Sequence, residues 1–265
     1  MTKITFRILG CGSSGGVPRL GGNWGACDPK NSKNNRQRCS LLITQEKNNG
    51  KTTVLVDTTP DMRRQLLDAD VANLDAILYT HDHADHVHGI DDLRMLALIN
   101  RRKLSVWADD RVQKSLLERF GYAFKQPQGS PYPPILALNN LSGPLSINGN
   151  GGDIEIVPFY VKHGGIKALG FRINDFAYLP DVSEIPENAN AQLSGLDCWV
   201  VDALRYTPHP SHSHLAQTLD WINKFKPRRA ILTNMHIDLD YKKVCEETPN
   251  HVTAAYDGME IRYEL

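Results

Sequence analysis

Between Tyr79 and Gly89 the chain reads Tyr-Thr-His-Asp-His-Ala-Asp-His-Val-His-Gly, which sets four imidazoles and two carboxylates within residues 81–88. Neutral imidazole and carboxylate are ligands for a borderline divalent ion such as zinc or manganese. A solvated helix start needs no such concentration of histidine. Chance seldom places His-x-His-x-Asp-His directly behind an apolar run. A second cluster, His209, His212 and His214 in Pro208-His209-Pro210-Ser211-His212-Ser213-His214, holds three more imidazoles. Isolated donors stand elsewhere: His163 in Val161-Lys162-His163-Gly164-Gly165, Asp181 closing Ala177-Tyr178-Leu179-Pro180-Asp181, and His236 closing Thr233-Asn234-Met235-His236. A lone histidine or aspartate is usually a surface residue. These gain weight because His-x-His-x-Asp-His supplies too few groups to close two metal shells.

The elements that must carry these groups follow from periodicity. Ala76-Ile77-Leu78-Tyr79 reads as a short buried strand, and Ile90, Leu93, Leu96 and Ala97 recur at helical spacing up to Asn100. The ligand cluster therefore lies where a strand ends and a helix begins. On an extended backbone His81 and His83 can turn the same way, and Asp85 and His86 then fall on the first helical turn. Upstream, Ile4 to Leu9 alternates and gives way to Gly10-Cys11-Gly12-Ser13-Ser14-Gly15-Gly16-Val17-Pro18. That turn either presents backbone N–H groups to an anion or is simply tight, since it matches neither the dinucleotide nor the P-loop spacing. The loop runs on to about Arg38. Arg36 within it could hold a phosphate or be solvated. Cys39–Thr44 and Thr52–Val56 read as a hairpin across the polar Glu46–Gly50 turn. Asp57 follows, and either orients a ligand histidine or caps the helix expected over Asp61–Leu67.

Beyond the first helix come a strand at Leu104–Trp107 and a helix at Arg111–Phe120, then a proline-rich loop, Gln126–Pro134. Strands are expected near Ile135–Leu138, Leu145–Ile147, Ile154–Pro158, Leu169–Ile173, Phe176–Leu179, Cys198–Asp202 and Arg229–Thr233, with a helix over Leu215–Phe225. The chain closes with a helix near Tyr241–Glu246 and strands at Val252–Ala255 and Met259–Tyr263. Strand-rich halves interleaved with helices point to an α/β fold: an α/β/β/α sandwich, two packed mixed sheets with helices on the outer faces, in one domain over residues 1–265. Apart from His88 and His251, every histidine falls at a strand end or in the two histidine-rich loops.

Composition sets the outer limits. The chain has 265 residues, 41% of them hydrophobic, and no formal net charge, so it buries a sizeable core and has no global pull toward nucleic acid or anionic membrane. No apolar run approaches the length of a membrane span, and Met1 to Leu9 alternates instead of forming a signal peptide. Five scattered cysteines without a close pair suggest a reducing, cytoplasmic setting.

The order of His81-Asp82-His83-Ala84-Asp85-His86, then His163, Asp181 and His236, resembles the metal-binding motifs of the metallo-β-lactamase-fold hydrolases, along the whole chain. Within that superfamily, Gly10 to Pro18, Asp57-Thr58-Thr59-Pro60-Asp61 and Pro208-His209-Pro210-Ser211-His212 most resemble the phosphoribosyl 1,2-cyclic phosphate phosphodiesterase group. That group is close to the tRNA 3′-processing endonucleases. The resemblance implies two divalent metal ions, Zn or Mn, with Fe as a further option. His81, His83 and His163 would hold one, Asp85, His86 and His236 the other, with Asp181 as bridge and Asp57 as the outer carboxylate that orients a ligand. Ser13, Gly15, Arg36 and His209 are the expected substrate contacts. Relatives often carry a structural zinc on closely spaced cysteines after the first strand. Here that loop has Cys27, with Cys11 and Cys39 at its edges and no Cys-x-Cys, so none is expected.

Two such ions, roughly 3.5–4 Å apart, would share a hydroxide and polarise phosphoryl oxygens for in-line attack. Asp85 and Asp181, which would hold that nucleophile, count with His212 as catalytic. An alkoxide leaving from a ribose gains from a general acid, worth about 10²–10⁴ in rate, whereas a thiolate does not. The second histidine cluster can supply it, with His212 preferred to His209 and His214. The expected function is hydrolysis of a small phosphodiester, a cyclic ribose phosphate or nucleotide-like molecule, without membrane or polymeric nucleic acid and as a monomer or homodimer. A usual β-lactamase would lack the intact Asp85-His86. A glyoxalase-type thioesterase shares the ligands but leaves the Pro208–His212 loop unexplained. A tRNA 3′-processing nuclease normally adds an RNA-binding arm, for which the intervals from His163 to Asp181 and Asp181 to His209 are too short. A non-enzymatic metal sensor would be expected to lose a ligand or the acid, and none is missing.

Overall fold

A computed structural model describes residues 1–264. The residues group into two compact units. The first comprises Met1–Leu9, Ser40–Glu155 and the C-terminal segment from Glu260, and the second comprises Gly10–Cys39 and Ile156–Met259. The strands are β1 (Lys3–Gly10), β2 (Ser40–Lys47), β3 (Gly50–Val56), β4 (Ala76–Leu78), β5 (Leu104–Ala108), β6 (Leu136–Asn140) and β7 (Leu145–Ile147). They continue as β8 (Ile154–His163), β9 (Ile166–Ile173), β10 (Phe176–Leu179), β11 (Cys198–Asp202), β12 (Arg229–Thr233), β13 (Val252–Ala254) and β14 (Glu260–Glu264). One seven-stranded sheet has the order β14-β1-β2-β3-β4-β5-β6, and the other β13-β12-β11-β10-β9-β8-β7. Both are mixed: β2 and β3 are antiparallel while β3, β4, β5 and β6 run parallel, and β8–β9–β10 is antiparallel while β10 to β13 run parallel. The α/β class with two mixed sheets and helices is therefore borne out.

In the first unit α1 (Met62–Asp68), α2 (Ala84–Val87), α3 (Leu93–Ile99) and α4 (Asp110–Phe124) share one apolar core with the sheet, including Met62, Leu93, Val112 and Leu116 with Leu55, Ile77 and Val106. In the second unit α5 (Asn190–Leu193), α6 (Leu215–Phe225) and α7 (Tyr241–Glu247) follow, and Trp199 of β11 meets Phe225 of α6 edge-to-face, centroids 5.7 Å apart.

Two expectations change. The hairpin turn is not the five-residue Glu46–Gly50 loop: β2 and β3 pair as far as Lys47 and Gly50, and Asn48 and Asn49 make the turn at φ 51° and 65°, the two left-handed residues of a type I′ hairpin. The strand expected to stop at Pro158 runs through to His163. Proline lacks only its own N–H, and the pairing with β9 continues past it, Pro158 opposite Phe171 and His163 opposite Ile166. Alternation beyond the proline buries Phe159, Val161 and His163 on one face. No helix among the described residues is long and apolar enough to cross a membrane.

Candidate metal centre

In the first unit the ligand motif occupies the turn after β4 and the four-residue helix α2, with Asp85 and His86 on that helix as expected. The imidazole of His81 lies 4.5 Å from that of His83 and 4.2 Å from that of His86, centroid to centroid. Asp85 Oδ2 is 3.5 Å from His86 Nε2. His81 and His86 are buried, Asp85 is half-buried and His83 is exposed. One carboxylate organises this set. Asp57 is fully buried, directly after β3, in the left-handed region at φ 64°. Its Oδ2 accepts from His86 Nδ1 at 2.7 Å and from the Thr80 hydroxyl at 2.8 Å, and its Oδ1 accepts from Thr80 N at 2.8 Å. Because the Thr80 hydroxyl spends its proton on Asp57, it must accept from His81 Nδ1, 3.0 Å away. Asp57 thus fixes both imidazoles as Nδ1–H tautomers, with the Nε2 lone pair as donor. Burial pushes its carboxyl up, and the charge and hydrogen bond of His86 oppose that. The close approach needs a glycine. Thr58 N donates to His86 O and Gly89 N to Thr58 O, and a Cβ on Gly89 would stand 2.0 Å from Thr59 O.

In the second unit the donors come from separate segments. His163 ends β8, Asp181 follows β10, and His212 lies on the loop after β11. One donor atom from each falls within 4.8 Å of the other two. His163 Nδ1 donates to Ser211 O at 2.6 Å, and the His163 and His212 rings lie 4.6 Å apart. His212 Nδ1 is 3.0 Å from Asp202 Oδ2, which also accepts from Val182 N at 3.1 Å. Asn234 Nδ2 donates to Pro180 O at 3.0 Å and Asp181 Oδ1 at 3.2 Å. Ser213 and Thr218 hydroxyls both donate to Asp202 O at 2.7 Å, tying the histidine loop to the strand end. Asp202 is fully buried, and burial pushes its carboxyl up to about 6 against the pull of His212. Sequence reasoning saw Asp202 only as a strand-terminal carboxylate. Its proximity to His212 needed the fold.

His236 sits after β12, its Nδ1 3.1 Å from Asp238 Oδ2 and its Nε2 in contact with the guanidinium of Arg19. Burial lowers its proton affinity, and the charge of Arg19 adds to that. His209 lies 5.2 Å from His212, and its Nδ1 accepts from Ser211 N at 3.3 Å. His214 is the N-cap residue of α6 and makes no capping hydrogen bond. Ser13 is buried, and its hydroxyl has no hydrogen-bond partner among the described residues, while Gly15 is exposed. Arg36 is placed differently from a phosphate contact: it is 1% exposed, and its guanidinium donates to Asn34 Oδ1 at 3.1 Å and His236 O at 3.5 Å. It braces the His236 loop. Arg19 was not among the sequence candidates, because its only signal was membership of the glycine-rich loop.

The donor set fits a borderline divalent ion. Every candidate ligand is an imidazole or a carboxylate, and the Nδ1 atoms of His81, His86 and His163 are engaged by the chain, which leaves Nε2 to ligate.

The sequence pattern of the β-lactamase superfamily domain matches residues 52–237. The chain belongs to the β-lactamase superfamily. A solved diphosphatase from the PhnP family is 31% identical, with a TM-score of 0.88, and the match covers 100% of this chain and 99% of that one. Zinc-bound PqqB from Methylobacterium extorquens is 17% identical with a TM-score of 0.71, over 97% of this chain and 99% of that one, a likeness of fold alone. An octanoyltransferase of Porphyromonas gingivalis (strain ATCC BAA-308 / W83) is 34% identical over 258 residues, 96% of this chain. The chain spans about half the length of that curated relative, 50% of it. The family match and these His and Asp groups fit a site that could hold a metal ion.

Proposed function

We propose that the protein hydrolyses a small phosphodiester, with two divalent ions and a histidine acid. The observation that carries this reading is the His212–Asp202 pair, an imidazole oriented by a buried carboxylate at 3.0 Å. Such a pair suits a poor, alkoxide-type leaving group and has no task with a thiolate. His81, His83 and His163 would hold one ion, Asp85, His86 and His236 the other, and Asp181 would bridge them. When bound, the ions supply Lewis acidity at the phosphoryl oxygens and acidify a water for attack.

The chain does the rest. Asp57 holds His81 and His86 in their ligating tautomers. His212 gives its Nε2 proton to the departing oxygen, and Asp202 steadies the imidazolium before transfer. Asn234 orients Asp181 through its 3.2 Å hydrogen bond. Zinc and manganese both suit such ligands. The likeness to a diphosphatase extends the substrate class to phosphoanhydrides. The substrate is small, and neither membrane nor nucleic-acid polymer takes part; a homodimer is the assembly to test. A cytoplasmic setting is part of the same proposal.

One observation favours a second reading, hydrolysis of an acyl thioester: the relative that carries octanoyl transfer in its name. The purified protein, loaded with manganese or zinc, is to be assayed on bis-p-nitrophenyl phosphate, cyclic ribose phosphates, an octanoyl thioester and a β-lactam. Turnover of the phosphodiesters is expected, and turnover of the thioester alone would sink the proposal. Elemental analysis of Asp181→Ala should show loss of two-metal occupancy; unchanged stoichiometry refutes the bridge. His212→Ala should keep its metal and lose turnover mainly on alkyl leaving groups.

A further inference from the structure

Within the second unit, the glycine-rich segment delivers an arginine to His236. Cys11 to Gly16 docks on the loop after β12: Met235 N donates to Cys11 O at 2.9 Å, and Ser13 N to Met235 O at 3.3 Å. A tight turn follows, Gly16 N to Ser13 O at 2.8 Å. Arg19 then has its backbone fixed by a second turn, donating from N to Asn23 O at 2.9 Å and accepting from Gly22 N at 3.0 Å. Its side chain lies across the bare Cα of Gly15, where a Cβ would stand 3.2 Å from Nε and 3.3 Å from Cγ. The guanidinium ends at His236 Nε2 and pairs with no carboxylate among the described residues. Arg19 is half-buried, so it reaches solvent, in contrast to the buried brace Arg36. A second cation belongs to the histidine loop: Arg205 is held there by donating to Thr207 O at 3.0 Å and Pro208 O at 2.7 Å.

We propose that Arg19, backed by Arg205, is the specificity-determining contact for a second anionic group on the substrate, a phosphate other than the one attacked. The proposal rests on the phosphodiesterase reading. A guanidinium cannot share the Nε2 lone pair of His236 with a metal ion. Once that nitrogen ligates, the side chain must turn outward over Gly15. There its planar fork matches a phosphate in two hydrogen bonds, which a lysine cannot copy. Gly15 is the hinge surface, and a methyl group there would press on the Arg19 stem.

The test uses thymidine 5′-(p-nitrophenyl phosphate) with and without a 3′-phosphate, so that leaving group and scissile bond stay constant. The metal-loaded wild-type protein should show a lower KM for the 3′-phosphorylated ester. Arg19→Ala should raise that KM by about tenfold more than it raises the KM of the plain ester, Arg19→Lys should recover part of the preference, and Gly15→Ala should lose part of it. Independently of turnover, pyrophosphate binding measured by calorimetry should weaken about tenfold in Arg19→Ala. An unchanged KM ratio together with unchanged pyrophosphate affinity overturns the role of Arg19. If wild-type protein turns over neither ester, the phosphodiesterase reading fails, and the pyrophosphate titration alone decides on Arg19.

Discussion

The two units hold their histidines by different means. In the first, one buried carboxylate serves both buried imidazoles: Asp57 accepts from His86 directly and from His81 through Thr80. In the second, each imidazole has its own neighbour: the Ser211 carbonyl accepts from His163, buried Asp202 accepts from His212, and the half-exposed Asp238 carboxylate stands 3.1 Å from His236 Nδ1. The difference follows from the chain. The first set lies on a contiguous motif, so its ring nitrogens converge on one strand end. The second set is gathered from a strand end and two loops, each with its own neighbours. One substitution should therefore collapse the first set, whereas the second should fail one histidine at a time.

Asp57→Ala is expected to have the largest effect. It strips the acceptor from Thr80 N, the Thr80 hydroxyl and His86 Nδ1, all buried. Removing one side of a buried network of this kind costs about 3–5 kcal/mol. Metal affinity should fall about 10–100-fold at the same time. Denaturant unfolding of the metal-free protein reads the first quantity and elemental analysis the second. Retention of both would mean that the ligands do not depend on a shared anchor.

Asp202→Asn should act on His212 alone. An amide can present its N–H to His212 Nδ1 and so favour the wrong tautomer. Turnover of alkyl phosphodiesters should drop about 10²-fold or more, with metal content kept. An equal fall for nitrophenyl and alkyl leaving groups would break the distinction between an orienting and a ligand-holding carboxylate.

A third carboxylate, Asp257, clamps the glycine-rich segment by accepting from Cys11 N at 3.1 Å and Gln37 N at 2.7 Å. Burial pushes it up to about 7. An unfolded aspartate titrates near about 3.9. From about pH 4 to pH 7 the folded chain therefore keeps a proton that the unfolded chain has released, and this contribution to stability falls as pH rises, by up to about 1.4 kcal/mol per pH unit. Denaturation midpoints across this range should decline in the wild-type protein and flatten in Asp257→Asn. A parallel decline in both would assign the slope to other groups.

What could be read from sequence follows the same division. Phe176–Leu179, Cys198–Asp202 and Arg229–Thr233 have the expected bounds because each is a short, largely apolar run, and Leu215–Phe225 because its apolar residues recur at helical spacing up to Lys226-Pro227. The helix expected over Arg111–Phe120 continues to Phe124 past non-helical Phe120, and the short α5 gave no periodic signal. The His81–His86 motif was legible because its spacing is local. Asp57 was legible by half, as a carboxylate at a strand end. The pairing of Asp202 with His212 and of Arg19 with His236 depends on how loops return to strand ends, and no periodicity records that.

The smallest effect is expected at Asp238. Its carboxylate lies 3.1 Å from His236 Nδ1, but its side chain is 45% exposed, whereas Asp57 and Asp202 are fully buried. Water can replace an exposed acceptor, and exposed ion pairs contribute about 0–1 kcal/mol. The loop also has support that Asp238 does not provide: His236 N donates to Leu204 O at 2.8 Å, and Arg36 lies beneath it. Asp238→Ala should therefore change the denaturation midpoint little and weaken metal binding less than about tenfold, below the usual range for an orienting partner. Competition with a chromogenic chelator measures this directly. A loss equal to that of Asp57→Ala would show that exposure does not discriminate between anchors, and that the orientation of His236 is set from its Nδ1 side as strictly as that of His86.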